Sequence, residues 1–199
     1  SIAADTSSAA PLGTDPTISP VAGFVTSNRS PLLASLHLPP TSSCGSCVKL
    51  STSTSRATTQ GIEAADDAVA DAQSVGMGPG SPLYFDMESY TRTSSASAAT
   101  LTFLSAWTTQ LHALGYVSGA YSSSASGIAD LARAAASGYT PPDNIWTANW
   151  NGAQNTLDPY LSASAWASHQ RIHQYRGGHN ETYGLITINL DNNYVEGAT

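Results

Sequence analysis

Lysine is almost missing from this chain. Lys49 is the only one among 199 residues, and the seven basic side chains face fourteen acidic ones for a formal net charge of −7. A nucleic-acid backbone needs clustered lysine and arginine, so nucleic acid is excluded as a partner. The same scarcity leaves no polybasic handle for an anionic membrane. No apolar run approaches the ~20 residues that cross a bilayer. Neither a G-x-G-x-x-G turn after a strand nor a G-x-x-x-x-G-K loop is present, so no nucleotide cofactor is expected. No basic, apolar leader with an A-x-A site stands at the N-terminus. Cysteine is scarce too: Cys44 and Cys47 form one C-x-x-C in a Ser/Thr/Gly-rich segment. Zinc would want two more ligands at suitable spacing and none follows nearby, so no metal site is expected. A local disulfide in an oxidising compartment is the first reading of the pair, two free thiols the second and redox chemistry the third.

What is abundant is Ser, Thr, Ala, Gly and Asn, a composition associated with secreted proteins. The length suits one core with an irregular lead-in. Residues 1–22 are rich in Ser, Ala, Thr and Pro and read as an extended tail. Val21 to Val25 suits a short strand. Leu32 to Leu36 fits a helical turn or a strand, and residues 41–59 read as loop. Residues 1–40 are therefore taken as a lead-in and 41–199 as the folded domain.

Periodicity is clear after Thr59. Ile62, Ala65, Val69 and Ala72 lie at helical spacing, acids early in that helix suit its dipole, and Gly76 is a plausible stop. Ser81 to Tyr90 is a short apolar strand opened by Pro82 and carrying Asp86 and Glu88 at its end. A helix over Ser94 to Leu114 follows, capped by Ser94 or Ser95. Its stripe is Leu101, Leu104, Trp107, Leu111 and Leu114, and Gly115 ends it. Tyr116 to Tyr121 is a second strand, and Ile128, Leu131, Ala132 and Ala135 mark a helix that Gly138 ends. Asn144 to Trp150 is a third strand. A short helix is expected over Ser162 to Ser168, and Arg171 to Tyr175 is a fourth strand. A Gly/His/Asn loop then leads to a fifth, Leu185 to Leu190, ending on Asp191. Alternating helix and strand with short connections implies parallel strands, hence an α/β fold.

Polar and aromatic groups collect at the strand ends. Asp86 and Glu88 are two apart on a strand, so they point the same way with Cα atoms roughly 6.5–7 Å apart. Burying two like charges together is costly unless the strand end opens into a cleft, where α/β active sites sit. Tyr121, Asn149, Trp150, Gln174, Tyr175 and Asp191 stand at the ends of later strands. Carboxylates, aromatics and amides are the inventory of a carbohydrate cleft: rings stack on sugars, amides bond hydroxyls, and paired carboxyls perform acid and nucleophile or base chemistry. His173 alternates with Gln174 and is not assigned as a base. Ser122 and Ser123 lack a G-x-S-x-G elbow.

The ordered run of these stretches carries a family resemblance. Gln60-Gly61 with Ala64 to Ala68, Tyr84-Phe85-Asp86-Met87-Glu88-Ser89-Tyr90, Gly119 to Ser123, Ile145 to Trp150, His173-Gln174-Tyr175 and Ile188 to Asp191 resemble the DUF1906 or Rv2525c-like glycoside-hydrolase-like domains of secreted actinobacterial proteins. These are distant relatives of glycoside hydrolase family 25 lysozymes. The resemblance covers roughly two thirds of the chain, from about Gln60. It implies a (β/α)8 TIM-like barrel and a cell-wall polysaccharide, peptidoglycan foremost, as ligand. It also implies a secreted or cell-wall-associated location and a glycosidase or an inactive glycan-binding module. Glu88 would be the general acid, Asp86 its electrostatic or substrate-assisting partner and Asp191 a last-strand carboxylate in the same cleft. Tyr84, Tyr90, Tyr121, Asn149, Trp150, Gln174 and Tyr175 would be the substrate-binding set. Gly23-Phe24 is followed by Val25, where the family carries Asp. About 40 residues precede Cys44, too few for three β/α units, so the barrel is expected to be incomplete or irregular on its N-terminal side. Unpaired strand edges there would suit a partner chain or larger assembly.

Overall fold

The computed structural model describes residues 17–19, 22–25, 33–36, 48–50, 53–135 and 137–196. Cys44 and Cys47, and with them the disulfide reading, lie outside the described residues. Four short strands come first: β1 (Thr17–Ser19), β2 (Ala22–Val25), β3 (Leu33–Leu36) and β4 (Val48–Lys49). The body follows as α1 (Thr54–Ser74), β5 (Pro82–Met87), α2 (Ser94–Ala113), β6 (Val117–Ser123) and α3 (Ala129–Ala134). It closes with β7 (Asn144–Ala148), β8 (Arg171–Tyr183) and β9 (Ile186–Val195). A π-helical turn over Ser124–Ile128 joins β6 to α3.

β5, β6, β7 and β8 pair in that order and in parallel, as the alternation of helix and strand implies. β9 then pairs antiparallel to β8. The five strands curl into half a barrel. Beyond β5, β1 pairs antiparallel with it and β4 with β1, while β2 and β3 form a separate hairpin. The described residues thus form a mixed α/β half-barrel and not a full (β/α)8 ring. Only three α-helices are present among them, since residues 149–170 between β7 and β8 form no helix and β8 and β9 are joined by a tight turn.

Alternation along the strands separates two layers. Leu83, Phe85, Met87, Ala120 and Ile145 are buried against the helices. Phe85 packs on Phe103 and Trp107 of α2 with ring centroids 4.5 and 5.4 Å apart. The Trp107 indole donates to the Gly119 carbonyl at 3.2 Å, so this large side chain is buried without leaving its N–H unpaired. The helix faces differ in detail from those the spacing predicts. In α1 the buried face is Ala57, Gln60, Gly61, Ala65, Ala68, Val69 and Ala72, and Ile62 is 38 % exposed. This helix begins inside the segment read as loop, and its first turn holds no acid. In α2 the cap is Thr93, whose hydroxyl accepts from the Ala96 N–H, and Phe103 joins the buried stripe while Leu114 stays at the surface. Gly115 ends that helix as expected. It stands at φ 83, and the Tyr116 N–H reaches back to the Leu111 carbonyl at 2.9 Å.

The C-terminal part departs from expectation in its turns and loops. No helix forms over 162–168, which is a run of turns. The buried Arg171 guanidinium takes up the Ser162, Ala165 and Thr156 carbonyls. Ser162 and Ala165 are thereby turned toward a side chain, and Trp166 and His169 stand at positive φ. The segment read as a Gly/His/Asn loop is instead strand, the outer half of β8, turning at Gly184-Leu185 into β9. Its polar composition reflects half-exposed faces, on which Asn180 pairs with Asn189 and Thr182 with Thr187.

Candidate active site

The inner layer of the half-barrel is built from the strand residues that point away from the helices. Asp86 of β5 is in register with Tyr121 of β6, Tyr121 with Trp146 of β7, and Ala148 of β7 with Gln174 of β8. Trp146 meets Tyr84 and Tyr121 edge-on, with centroids 6.1 and 5.3 Å away. Gly119 makes the space for this packing, since a Cβ there would stand 2.4 Å from Tyr84 Cδ1. Burial pushes the Tyr84 phenol up to about 12, so it is neutral at any ordinary pH.

Gln174 joins the layer. Its Oε1 accepts from the Tyr121 hydroxyl at 3.1 Å and from the Trp150 indole at 2.8 Å. Its Nε2 donates to Asp191 Oδ2 at 3.0 Å. Two donors on one side and a carboxylate on the other admit a single amide orientation. The other oxygen of Asp191 accepts the Gly178 N–H at 2.6 Å. Trp146 is held in turn by Asn193 Oδ1 at 2.8 Å. Trp150 is tethered by its bond to Gln174 and lies against Gly177, yet it remains 67 % exposed. A tethered ring with an open face is a stacking surface.

Three carboxylates act on one phenol. Burial raises the proton affinity of Tyr121 first, and the negative charges of Asp86, Glu88 and Asp191 raise it further, while the Gln174 bond opposes them. Asp86 is half-buried and Glu88 exposed at the strand end. The fifth strand does not end on Asp191, as its sequence suggests. β9 runs on to Val195 in the opposite direction, and Asp191 reaches the rim from mid-strand.

Other candidates stand elsewhere. Tyr90 is buried, and its hydroxyl donates to Asp130 Oδ2 at 2.6 Å. Arg92 donates to Asp130 Oδ1 from Nε at 2.8 Å and from Nη2 at 2.5 Å. These bonds pin the 88–92 loop, and Glu88 with it, to α3. Tyr175 shares the β8 face of His173, with ring centroids 6.4 Å apart, opposite the face of Gln174. Asn149 contributes backbone: its N–H donates to the Gln174 carbonyl at 3.1 Å and its carbonyl faces His173 Nε2 at 2.7 Å. His173 Nδ1 lies 2.5 Å from the Asn155 carbonyl, so this ring braces the 149–155 loop.

Trp146, Asn193, Arg92 and Asp130 were not singled out from sequence. For Trp146 the signal was there, since strand alternation places it with Ala148 and so on the side of Tyr121. Asp130 gave none, being one acid in a short helix. Among the described residues, no group of three His, Cys, Asp or Glu comes together as a metal site.

No curated protein and no solved structure matches the chain. A family model does, that of the Rv2525c-like, glycoside hydrolase-like domain, over residues 36–195. With most of its length covered, and with a half-barrel gathering carboxylates, amides and aromatic rings on one rim, the chain belongs to the Rv2525c-like glycoside hydrolase-like family.

Proposed function

We propose that the protein is a glycoside hydrolase acting on a cell-wall polysaccharide, with peptidoglycan as the first substrate to try. The observation that carries this is the rim on which Gln174 joins Tyr121, Asp191 and the exposed Trp150, with Asp86 in register beside Tyr121. The family's glycosidase-like character supports it. Glu88, at the open end of β5, protonates the departing glycosidic oxygen. Asp86, two residues earlier and still within β5, stabilises the positive charge that develops on the sugar, and Asp191 serves the far side of the cleft. Trp150 stacks on a ring, and Gln174 and Asn149 bond its hydroxyls. A secreted or cell-wall location and a domain over residues 41–199 belong to the same proposal.

A second reading has its own observation. Both oxygens of Asp191 already accept hydrogen bonds, from Gln174 and Gly178, which suits a structural acid better than a nucleophile. With Val25 where the resembled family carries Asp, a glycan-binding module without turnover follows. The deciding experiment incubates purified peptidoglycan and chitin-type oligosaccharides with wild type and Glu88→Gln, and reads the products by mass spectrometry. Saccharides released by wild type alone establish the glycosidase and the role of Glu88. Retention of glycan by both proteins with no product establishes the binding module. Equal turnover by both removes Glu88 from the chemistry.

A further inference from the structure

An open surface pocket of about 500 Å³ lies between the start of α2 and the end of α3. Its walls include Arg92, Ser94, Ser97, Arg133, Ser137 and Tyr139. Two of the chain's seven basic side chains therefore face one pocket in a protein of net charge −7. The buried Asp130 in its wall is already saturated by Tyr90 and Arg92, whose bonds use Nε and Nη2 and leave Nη1 without a partner among the described residues. Arg133 is exposed and makes no ion pair among the described residues. The hydroxyls of Ser94, Ser97, Ser137 and Tyr139 add further donors.

The pocket thus carries a net positive charge, with Arg133 uncompensated among the described residues, and hydroxyls that can donate or accept. That charge is opposite in sign to the carboxylates of the candidate active site. We infer that this cavity is a second binding site, one that takes an oxyanion group carried on a small hydroxylated molecule. Two guanidinium groups recognise a carboxylate or a phosphate through charge-assisted hydrogen bonds. The hydroxyl-bearing walls suit the remainder of a sugar, and the volume lies in the range of small-molecule sites. Arg92 is the fixed element, braced by Asp130 from behind. Arg133, on an α3 surface turned to solvent, is the adjustable one. Binding here requires no hydrolysis at Glu88, so it stands or falls apart from the proposed activity.

The test is a titration of the isotope-labelled full chain with glucuronate, with glucose 6-phosphate and with neutral glucose, following backbone amide resonances. Saturable shifts in residues 92–97 and 133–139 with either charged sugar, and none with glucose, are expected. The tighter of the two identifies carboxylate or phosphate as the preferred group. Arg133→Gln should weaken binding about tenfold without altering the far-ultraviolet spectrum, as loss of one charge-assisted contact implies. Raising the salt from about 0.05 to about 0.5 M should weaken the wild type as well. Equal shifts with glucose, shifts outside the pocket, no saturable shift at all, or indifference to Arg133→Gln would each overturn the assignment.

Discussion

Gln174 and Asp191 meet across the β8–β9 pair, Nε2 to Oδ2 at 3.0 Å, seventeen residues apart in sequence. Through this bond the antiparallel strand becomes part of a rim otherwise made of parallel strand ends. Gln174→Glu would replace the donor with a second carboxylate facing Asp191 and beside Tyr121. A loss of about 2–3 kcal/mol is expected at pH 7 from the broken bond and the new repulsion, shrinking as the pH falls below about 4 and the acids protonate. Urea denaturation at the two pH values measures it. An unchanged midpoint at pH 7 would remove Gln174 from the centre of the network.

The contact of Gly119 with Tyr84 makes a steric prediction. A methyl at 119 would stand 2.4 Å from the Tyr84 ring, so Gly119→Ala should destabilise by about 1–3 kcal/mol. Tyr84→Leu, smaller and flexible, should recover part of that loss in the double variant. Additive costs in the resulting double-mutant cycle would mean that the two residues do not share the strain.

Asp130 is a buried acid with one cationic and one phenolic partner. Asp130→Asn leaves Arg92 without its counter-charge and should cost about 2–4 kcal/mol, whereas Tyr90→Phe should cost about 1 kcal/mol. Thermal and urea unfolding of the two variants separate these figures. Equal costs would mean that the charge of Asp130 contributes nothing beyond an ordinary hydrogen bond.

Asp143 sets a pH dependence. Its partial burial would raise the carboxyl's proton affinity, but hydrogen bonds from His112 and from the backbone and hydroxyl of Ser118 prevail and hold it below the usual carboxylate range. A folded value below the unfolded one stabilises the protein above about pH 4, and that contribution disappears as the pH falls through the lower folded value. Asp143→Asn should therefore cost about 1 kcal/mol at pH 7, a figure reduced for solvent exposure, and progressively less as the pH falls below about 4. A difference between variant and wild type that persists unchanged at pH 2 would refute the sign.

The parallel core was legible in the sequence because its strands are short apolar runs, the first two pairs separated by the helices α2 and α3. Pro82 to Met87 and Val117 to Ser123 each pair a buried outer face with a few polar inner residues, and both signals survive in a single sequence. The β8–β9 hairpin was harder to see, because its faces are half-exposed and carry no apolar alternation. The signal it does carry is a glycine-led pair between two β-forming runs, Gly184-Leu185 between Tyr183 and Ile186. The expected helix over 162–168 was lost to a long-range competitor, since no local pattern announces that Arg171 will collect its carbonyls.

By itself, then, the sequence determined which residues could carry chemistry: a D-x-E at a strand end, a glutamine and a tryptophan at later ends, and too few cations for a polyanion. Local propensity and alternation suffice for that, because they act over a few neighbouring residues. Only the tertiary structure decided which of them meet. Tyr90 turned to Asp130, Tyr175 went to the face of His173, and Asp191 arrived from an antiparallel strand. The Tyr90–Asp130 bond spans forty residues and Asp191 is placed by strand pairing. Register and burial rather than a local pattern therefore set those partners, while Tyr175 follows the alternation of β8.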